Sequence, residues 1–471
     1  MAKYIKTEQG YIDASIFAPA SFKPAGKSYL TFSSPKSFTL ALTYPAKKWE
    51  GTIEYFASDE TWTAWDGTTT LSAVADDGEY LLYLRGTGNR TITGGVTAGR
   101  WVLSGTNIKC IGNIDNLLDY ATVESGNHPT MENKCYQYMF GDCTSLIQAP
   151  ELPATTLAIS CYGSMFFGCT SLTQAPALPA TTLANNCYGN MFTGCTSLTQ
   201  APALPATTLA NNCYQYMFFG CTSLTQAPAL PATTLASNCY QYMFTRCTSL
   251  TQAPALPATT LANHCYVNMF YDCTSLIKAP ELPATTLAAF CYQYMFHGCT
   301  SLTQAPALPA TTLANNCYQY MFFGCTSLTQ VPALPATTLA DFCYYHMFES
   351  CYALKLSTTQ TGEYNQAYRI PTTGDGTTAR EALNNMFPDK GTTFTITPKI
   401  NTTYYLSTDN MIVRETEVST LNGYVGSMID VAIGEYADTA EYIIPSSTEG
   451  STKKFKITVD DSGTLIATEV I

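Results

Sequence analysis

The sequence predicts a solenoid of short coils flanked by two small β-rich regions. Three observations predict it. A 26-residue unit reads Cys-Tyr-x-x-Met-Phe-x-x-Cys-Thr-Ser-Leu-x-x-Ala-Pro-x-Leu-Pro-Ala-Thr-Thr-Leu-Ala-x-x; it begins at Cys135, Cys161, Cys187, Cys213, Cys239, Cys265, Cys291 and Cys317, with a partial copy at Cys343. A fixed period in this range marks coils that stack and bury a common core. Between copies the Cys, Tyr, Met, Phe and Leu positions barely change, as core positions should when each packs on its own equivalents. Outside the array the period stops, and β-branched and aromatic runs separated by turn signals take over.

Taken in chain order, residues 1–105 read as a β-rich region. Tyr29–Phe32, Ser37–Thr43, Thr52–Phe56, Tyr80–Leu84 and Trp101–Leu103 are its strands, with Asp66-Gly67 and Asp77-Gly78 as hairpin turns. Residues 106–134 are expected to cap the first coil, since Cys110 and Ile114 begin to echo the repeat. The array proper runs over 135–356. Within a coil, Tyr-x-x-Met-Phe between the two cysteines has the apolar spacing of a short helix. Thr-Ser-Leu-x-x-Ala leads into a short strand. Pro-x-Leu-Pro lacks two amide donors and must be an extended edge without a full ladder. Thr-Thr-Leu then closes the coil. Residues 357–390 form the closing cap, with Ala379–Phe387 as one more helical piece, because Met386-Phe387 repeats the core pair. Residues 391–471 read as a second β-rich region that ends in a hairpin of Lys454–Val459 and Thr464–Val470 around Asp460-Asp461-Ser462-Gly463.

Cys-Tyr-x-x-Met-Phe-x-x-Cys-Thr-Ser-Leu resembles, spacing for spacing, the Ile-Gly-x-x-Ala-Phe-x-x-Cys-x-x-Leu core of the BspA-type leucine-rich repeats. Leu-Pro-Ala-Thr-Thr-Leu is similar to the Leu-Pro-x-x-Leu half of the same unit. The departures are Cys for Ile and Met for Ala, both in core slots. The resemblance implies a leucine-rich-repeat solenoid, with a short strand and a short helix in each 26-residue coil. It also implies binding rather than catalysis. Such repeats occur in surface adhesins of gut and oral Bacteroidetes, in mucosal protists and in phages of Bacteroidetes.

Charge and cysteine usage exclude several functions. Charged residues make up only 12% of the 471, and the net charge is −12. Between Cys135 and Phe342 there are five acids (Asp142, Glu151, Asp272, Glu281, Asp341) and two bases (Arg246, Lys278). No basic stripe exists for a phosphate backbone, so nucleic acid is not an expected partner. No apolar run approaches the length of a spanning helix, and the N-terminal residues lack an export-signal pattern, so no membrane insertion is expected. Of the 19 cysteines, nine open the units, nine follow eight residues later, and Cys110 stands apart. The Cys-x7-Cys spacing is wrong for zinc, and no metal or other cofactor is expected. Neighbouring coils lie close enough for disulfides, but a column of nine cannot pair off. The favoured reading is a small apolar side chain filling one core slot per turn, in a chain made in a reducing compartment.

No group of residues converges on catalysis. Gly86-Thr87-Gly88 lacks the helix and third glycine of a nucleotide loop and reads as a tight turn. His264, His297 and His346 fall in different units, in more than one slot. Glu151 and Glu281 share a slot but sit about 24 Å apart by the coil rise, too far for paired acid–base work. The expectation is therefore no catalytic residue. The positions that vary between copies tolerate both Gly and Tyr and must face outward. They place Tyr138, Phe167, Tyr216, Phe219, Tyr242, Tyr271, Tyr294, His297, Tyr320 and Phe323 on the array surface, and these are the candidate binding residues. The expected partners are a host-surface glycan or protein and other virion proteins. The expected setting is a phage virion, as a tail fibre or receptor-binding protein made in the host cytoplasm, oligomeric and trimeric if a fibre. A bacterial cell-surface adhesin is the alternative, and an enzyme a distant third.

Overall fold

Left-handed backbone at every fourth residue decides the shape of each coil. In the computed structural model, Asn212 (φ 56°), Tyr216 (φ 56°) and Gly220 (φ 69°) recur as equivalents in every coil. A left-handed residue cannot continue an α-helix, so the expected short helix is instead a run of overlapping turns. From Asn212 to Cys221 every backbone N–H is used. Those of Cys213, Gln215, Met217, Phe219 and Cys221 donate to the carbonyl three residues back. Those of Asn212, Tyr214, Tyr216, Phe218 and Gly220 donate forward to Ser237, Cys239, Gln241, Met243 and Thr245 of the next coil, at 2.8–3.0 Å. The turn run thus does the work of a strand, joining coil to coil with no buried amide orphaned. A Cβ on Gly220 would meet nothing within 4 Å, so Gly220→Ala isolates the backbone cost. Urea unfolding should show a loss of about 1–2 kcal/mol, and less for Gly220→Asn, since Asn tolerates this region.

The structure describes residues 22–26, 29–44, 46, 48–94, 99–354 and 379–388, together with the backbone of eight further strands. It divides into two compact units, residues 1–410 and 411–471. The first begins with β1 (Tyr4–Thr7) and β2 (Gly10–Asp13), an antiparallel pair. There follow β3 (Leu30–Ser34), β4 (Thr39–Leu42), β5 (Thr52–Phe56), β6 (Trp62–Ala64), β7 (Leu71–Ser72), β8 (Val74–Asp76), β9 (Glu79–Thr87), β10 (Trp101–Ser104), β11 (Ile108–Ile111), helix α1 (Asn116–Glu124) and β12 (Leu146–Gln148). Strands β12-β11-β3-β9-β5-β6 are neighbours in that order in a seven-stranded sheet, with β8 also on β9; β10-β4-β7 form a second sheet. β8 and β9 meet through Asp77-Gly78, both with positive φ, as the hairpin reading expects. Asp66-Gly67 differs: β6 pairs with β5 and β7 with β4, and the Asp66 carboxylate accepts from the Thr68 amide and hydroxyl as a local turn. Gly86 lies inside β9 rather than in a tight turn. Its missing side chain lets α1 close down, because a Cβ there would fall 1.8 Å from the Leu117 carbonyl oxygen.

β12 belongs to the first coil and pairs parallel with β11, so the sheet runs directly into the array. The first coil's carbonyls receive donors from this sheet region. The Ile92 amide donates to Cys135, the Trp101 amide to Met139 and the Thr93 hydroxyl to Gln137. Phe32 and Trp101 lie against Phe140 with ring centroids 6.2 and 6.0 Å away. In later coils the expected strand shrinks to single parallel bridges, such as Gln174 to Gln200 and Gln304 to Gln330. The prolines that follow, such as Pro176 and Pro179 after Gln174, remove donors a longer ladder would need.

Inside the array, like packs on like. Tyr136 through Tyr344 stack in one column at 5.7–5.9 Å with planes within 11°. Phe140 through Phe348 stack in another and end on Phe387. The segment Arg380–Met386 accepts the last coil's amides from Phe342, Tyr344, His346 and Phe348. It closes the stack with turns, where a helical piece is expected, because Glu381 and Asn385 are left-handed. All 19 cysteines are free and buried. In the second cysteine column each thiol from Cys169 to Cys351 donates to the Phe carbonyl of the preceding coil, as Cys221 does to Phe192 at 3.1 Å, and Cys143 donates to the Trp101 carbonyl. The third Leu of the unit is less uniform. Leu157, Leu209 and Leu287 are buried, whereas Leu183, Leu235, Leu261 and Leu313 are half-buried.

Beyond the last coil, β13 (Leu356–Ser357), β14 (Tyr364–Arg369) and β15 (Thr403–Ser407) form an antiparallel sheet in the order β13-β15-β14. The second unit contains β16 (Tyr442–Pro445), β17 (Lys454–Val459) and β18 (Leu465–Val470), antiparallel in sequence order. β17 and β18 pair as the expected terminal hairpin. The expected strands between 408 and 441 lie outside the described residues.

Candidate functional surface

The candidate rings project from two slots of the turn run. One slot is left-handed and holds Tyr138, Tyr216, Tyr242, Tyr294 and Tyr320; the other follows Met-Phe and holds Phe167, Phe219, Tyr271, His297 and Phe323. All ten are half-buried. The structure brings most of them together. Tyr216 stacks on Tyr242 at 4.4 Å, Tyr294 on Tyr320 at 4.7 Å, Tyr271 on His297 at 4.4 Å and His297 on Phe323 at 4.7 Å, all within 10° of parallel. The two slots also touch. Tyr216 meets Phe219, Tyr294 meets His297 and Tyr320 meets Phe323, each at 5.8 Å. Tyr138 and Phe167 form a separate pair at 6.5 Å near the first coil.

Two properties of this surface follow from the stacking. Ring planes lie face to face from coil to coil, so within a column solvent meets ring edges and not ring faces. The coil-to-coil step is also shorter here than among the core rings, at 4.4–4.7 Å against 5.4–5.9 Å. The surface rings therefore overlap more directly than the core rings do.

Several contributors escape the sequence reading. Tyr345 and His346 extend the patch, with His346 stacked on Tyr320 at 4.6 Å and its imidazole against the Glu349 carboxylate. His264 stacks on Phe290 at 4.6 Å in a neighbouring slot. Arg246 sits 5.9 Å from the Phe219 ring and 3.7 Å from the Asp272 carboxylate. The signal for His346 and His264 is the 26-residue register, since each occupies a slot that holds an aromatic in another coil; Tyr345 and Arg246 stand in slots without another aromatic. In the Pro-x-Leu-Pro segments of two neighbouring coils a shallow groove of about 380 Å³ lies along Pro306, Leu308, Pro309, Val331 and Pro332, where no candidate was expected.

The surface is close to neutral. Burial lowers the affinity of the His264, His297 and His346 imidazoles for protons, and the His297 Nδ1 is buried without a partner among the described residues. Burial, then the neighbouring Tyr294, pushes the Tyr320 hydroxyl up to about 12. Burial followed by the nearby Tyr271, Tyr242 and Tyr345 raises Tyr294 as well. Tyr294 and Tyr320 thus stay un-ionised across the neutral range. Glu151 and Glu281 are both exposed and remain five coils apart.

Among known proteins, residues 133–259, 184–303 and 233–355 each match a family profile described as a BspA type leucine rich repeat region (6 copies). Comparison with curated proteins and with solved structures found no match.

Proposed function

Because residues 133–355 belong to the BspA-type leucine-rich repeat family, we propose that this chain is a non-catalytic recognition protein that offers the ring-bearing face of its array to a host-surface glycan or protein. Family membership supports a surface, adhesion-type role, and repeats of this family are generally non-catalytic. The observation that carries the reading is the continuous aromatic patch over the last coils, formed by Tyr271, Tyr294, His297, Tyr320, Phe323 and His346. Rings held rigidly by their neighbours give contact area with little entropy left to lose on binding. Low local charge suits a neutral partner.

The setting we infer is a phage virion, with the chain as a tail-fibre or receptor-binding component, trimeric if a fibre. Its buried thiols, each of the second column already donating to a carbonyl, suit a chain folded in a reducing cytoplasm. A cell-surface adhesin is the second reading, favoured by the family itself. Fractionation separates them: the virion reading expects the chain to sediment with particles, and recovery only in washed cell envelopes would favour the adhesin.

Recognition through the array is tested with the full chain on a panel of gut Bacteroidetes strains. Tyr216→Ala combined with Tyr320→Ala should lower cell binding at least about tenfold. Undiminished binding with an unchanged circular dichroism spectrum would move recognition off this face.

A further inference from the structure

The left-handed ring column is interrupted at the sixth coil. Tyr242 and Tyr294 stand one coil to either side, and Asn268 occupies the position between them. The three share the same backbone, with φ of 58°, 55° and 54°, so the Asn268 side chain leaves the coil in the direction its Tyr neighbours take. Twice the adjacent-ring step of 4.4–4.7 Å puts the Tyr242 and Tyr294 faces about 9 Å apart, so a ring midway lies about 4.5 Å from each, within stacking range. That a ring fits this position is shown by the array itself, since Tyr320 fills it two coils further on, between Tyr294 and His346. An Asn side chain reaches only partway up a Tyr ring. A slot is left above it, with a ring face on each side.

The floor of the slot points to a polar occupant. Asn268 is 6% exposed, yet its amide makes no hydrogen bond among the described residues. Its backbone is fully engaged: the N–H donates to Gln293, and the carbonyl accepts from the Thr245 hydroxyl at 2.6 Å and from the Tyr271 amide. That small exposure leaves the amide to water, so an occupant that displaces the water must supply both a donor and an acceptor in its place. An apolar ring would seal the amide off without a partner. A nucleotide would bring phosphate to a surface whose nearest base, Arg246, is already beside Asp272. A saturated sugar ring meets both demands, since its C–H faces pack on aromatic rings and its hydroxyls both donate and accept.

From this geometry we propose that the slot between Tyr242 and Tyr294 binds one neutral hexopyranose ring, with its faces against the two tyrosines and adjacent hydroxyls on the Asn268 amide. Tyr271, in the neighbouring slot of the same coil, forms the side wall. The proposal rests on the recognition reading above and narrows it to a glycan and to one coil. It also locates exposed ring faces, which the stacked columns otherwise cover.

The test is saturation-transfer difference NMR on the full chain with the methyl glycosides of glucose, galactose, mannose and N-acetylglucosamine. At least one should give transfer from the tyrosine rings. Asn268→Tyr restores an uninterrupted column by placing a residue the fold accepts in the flanking coils; it should abolish transfer while leaving unfolding unchanged or later. Tyr242→Ala, which removes one face, should weaken binding about tenfold. Transfer that survives both substitutions overturns the slot. Absence of transfer from all four glycosides and from neutral oligosaccharides built of them also overturns it. In that case cell binding that is still sensitive to Tyr216→Ala and Tyr320→Ala would leave the broader recognition reading standing, with a protein as partner.

Discussion

Raising the pH from 8 to 9.5 is expected to unfold the array. Burial holds the cysteines in their neutral form, and for several of them, such as Cys169, Cys247 and Cys291, neighbouring thiols of the same column add to it. It pushes Cys143, Cys187, Cys195, Cys239 and Cys343 up to about 12 and others further. An unfolded thiol titrates near 8.5. The sign follows directly: the folded chain retains protons that the unfolded chain releases, so stability is full below that value and falls as pH climbs toward the folded pKa. At pH 9.5 each thiol favours the unfolded chain by about 1.4 kcal/mol, and the 19 together by roughly 27 kcal/mol, beyond the stability of ordinary domains. Circular dichroism against pH should show a steep, cooperative loss near pH 9, together with release of reactive thiols. A spectrum unchanged at pH 10.5 would contradict the buried-thiol account.

The second large effect is local. Phe244 has no exposed surface and lies 5.6 Å from both Phe218 and Phe270. Phe244→Ala should cost about 3–5 kcal/mol through lost burial and the cavity left behind. Stability in a stacked array is a sum over neighbouring coils, so the loss concentrates at two interfaces. Urea unfolding should therefore split into two steps, and hydrogen exchange should quicken first around Tyr214 and Tyr266. A uniform loss over all coils would argue against nearest-neighbour stacking.

What the sequence can reveal is set by what repetition makes visible. The Cys, Tyr, Met and Phe columns are legible because an inward side chain that packs on its own copy cannot vary freely. The turn run is not, because apolar residues at 0, 4, 5 and 8 fit a helix equally well. The contrary signal is present in the variable positions. Gly168, Gly194, Gly220, Gly298 and Gly324 share one slot, and Asn186, Asn212, Asn238 and Asn316 another. Those are residues that tolerate positive φ, so variation there reflects backbone conformation as well as exposure. Helix α1 escapes the sequence reading because it is nine residues long and broken at Asp119. The outward direction of Tyr216 and Tyr242 is legible from the Gly found at other positions of the run. Their face-to-face contact is not, since it depends on how far one coil rises above the last. The interruption at Asn268 is visible as a missing Tyr, but only the stacking gives it a width.

The forward hydrogen bonds of the turn run have an electrical consequence. In each coil, amides such as those of Tyr214, Tyr216 and Phe218 point toward the following coil, and the carbonyls that receive them point back. Peptide dipoles so aligned add along the axis as they do in an α-helix. The array accordingly carries a partial negative pole at the Cys135 end and a partial positive pole at the Phe387 end. Anionic groups should gather preferentially at the latter, and two arrays set end to end attract in one orientation and repel in the other.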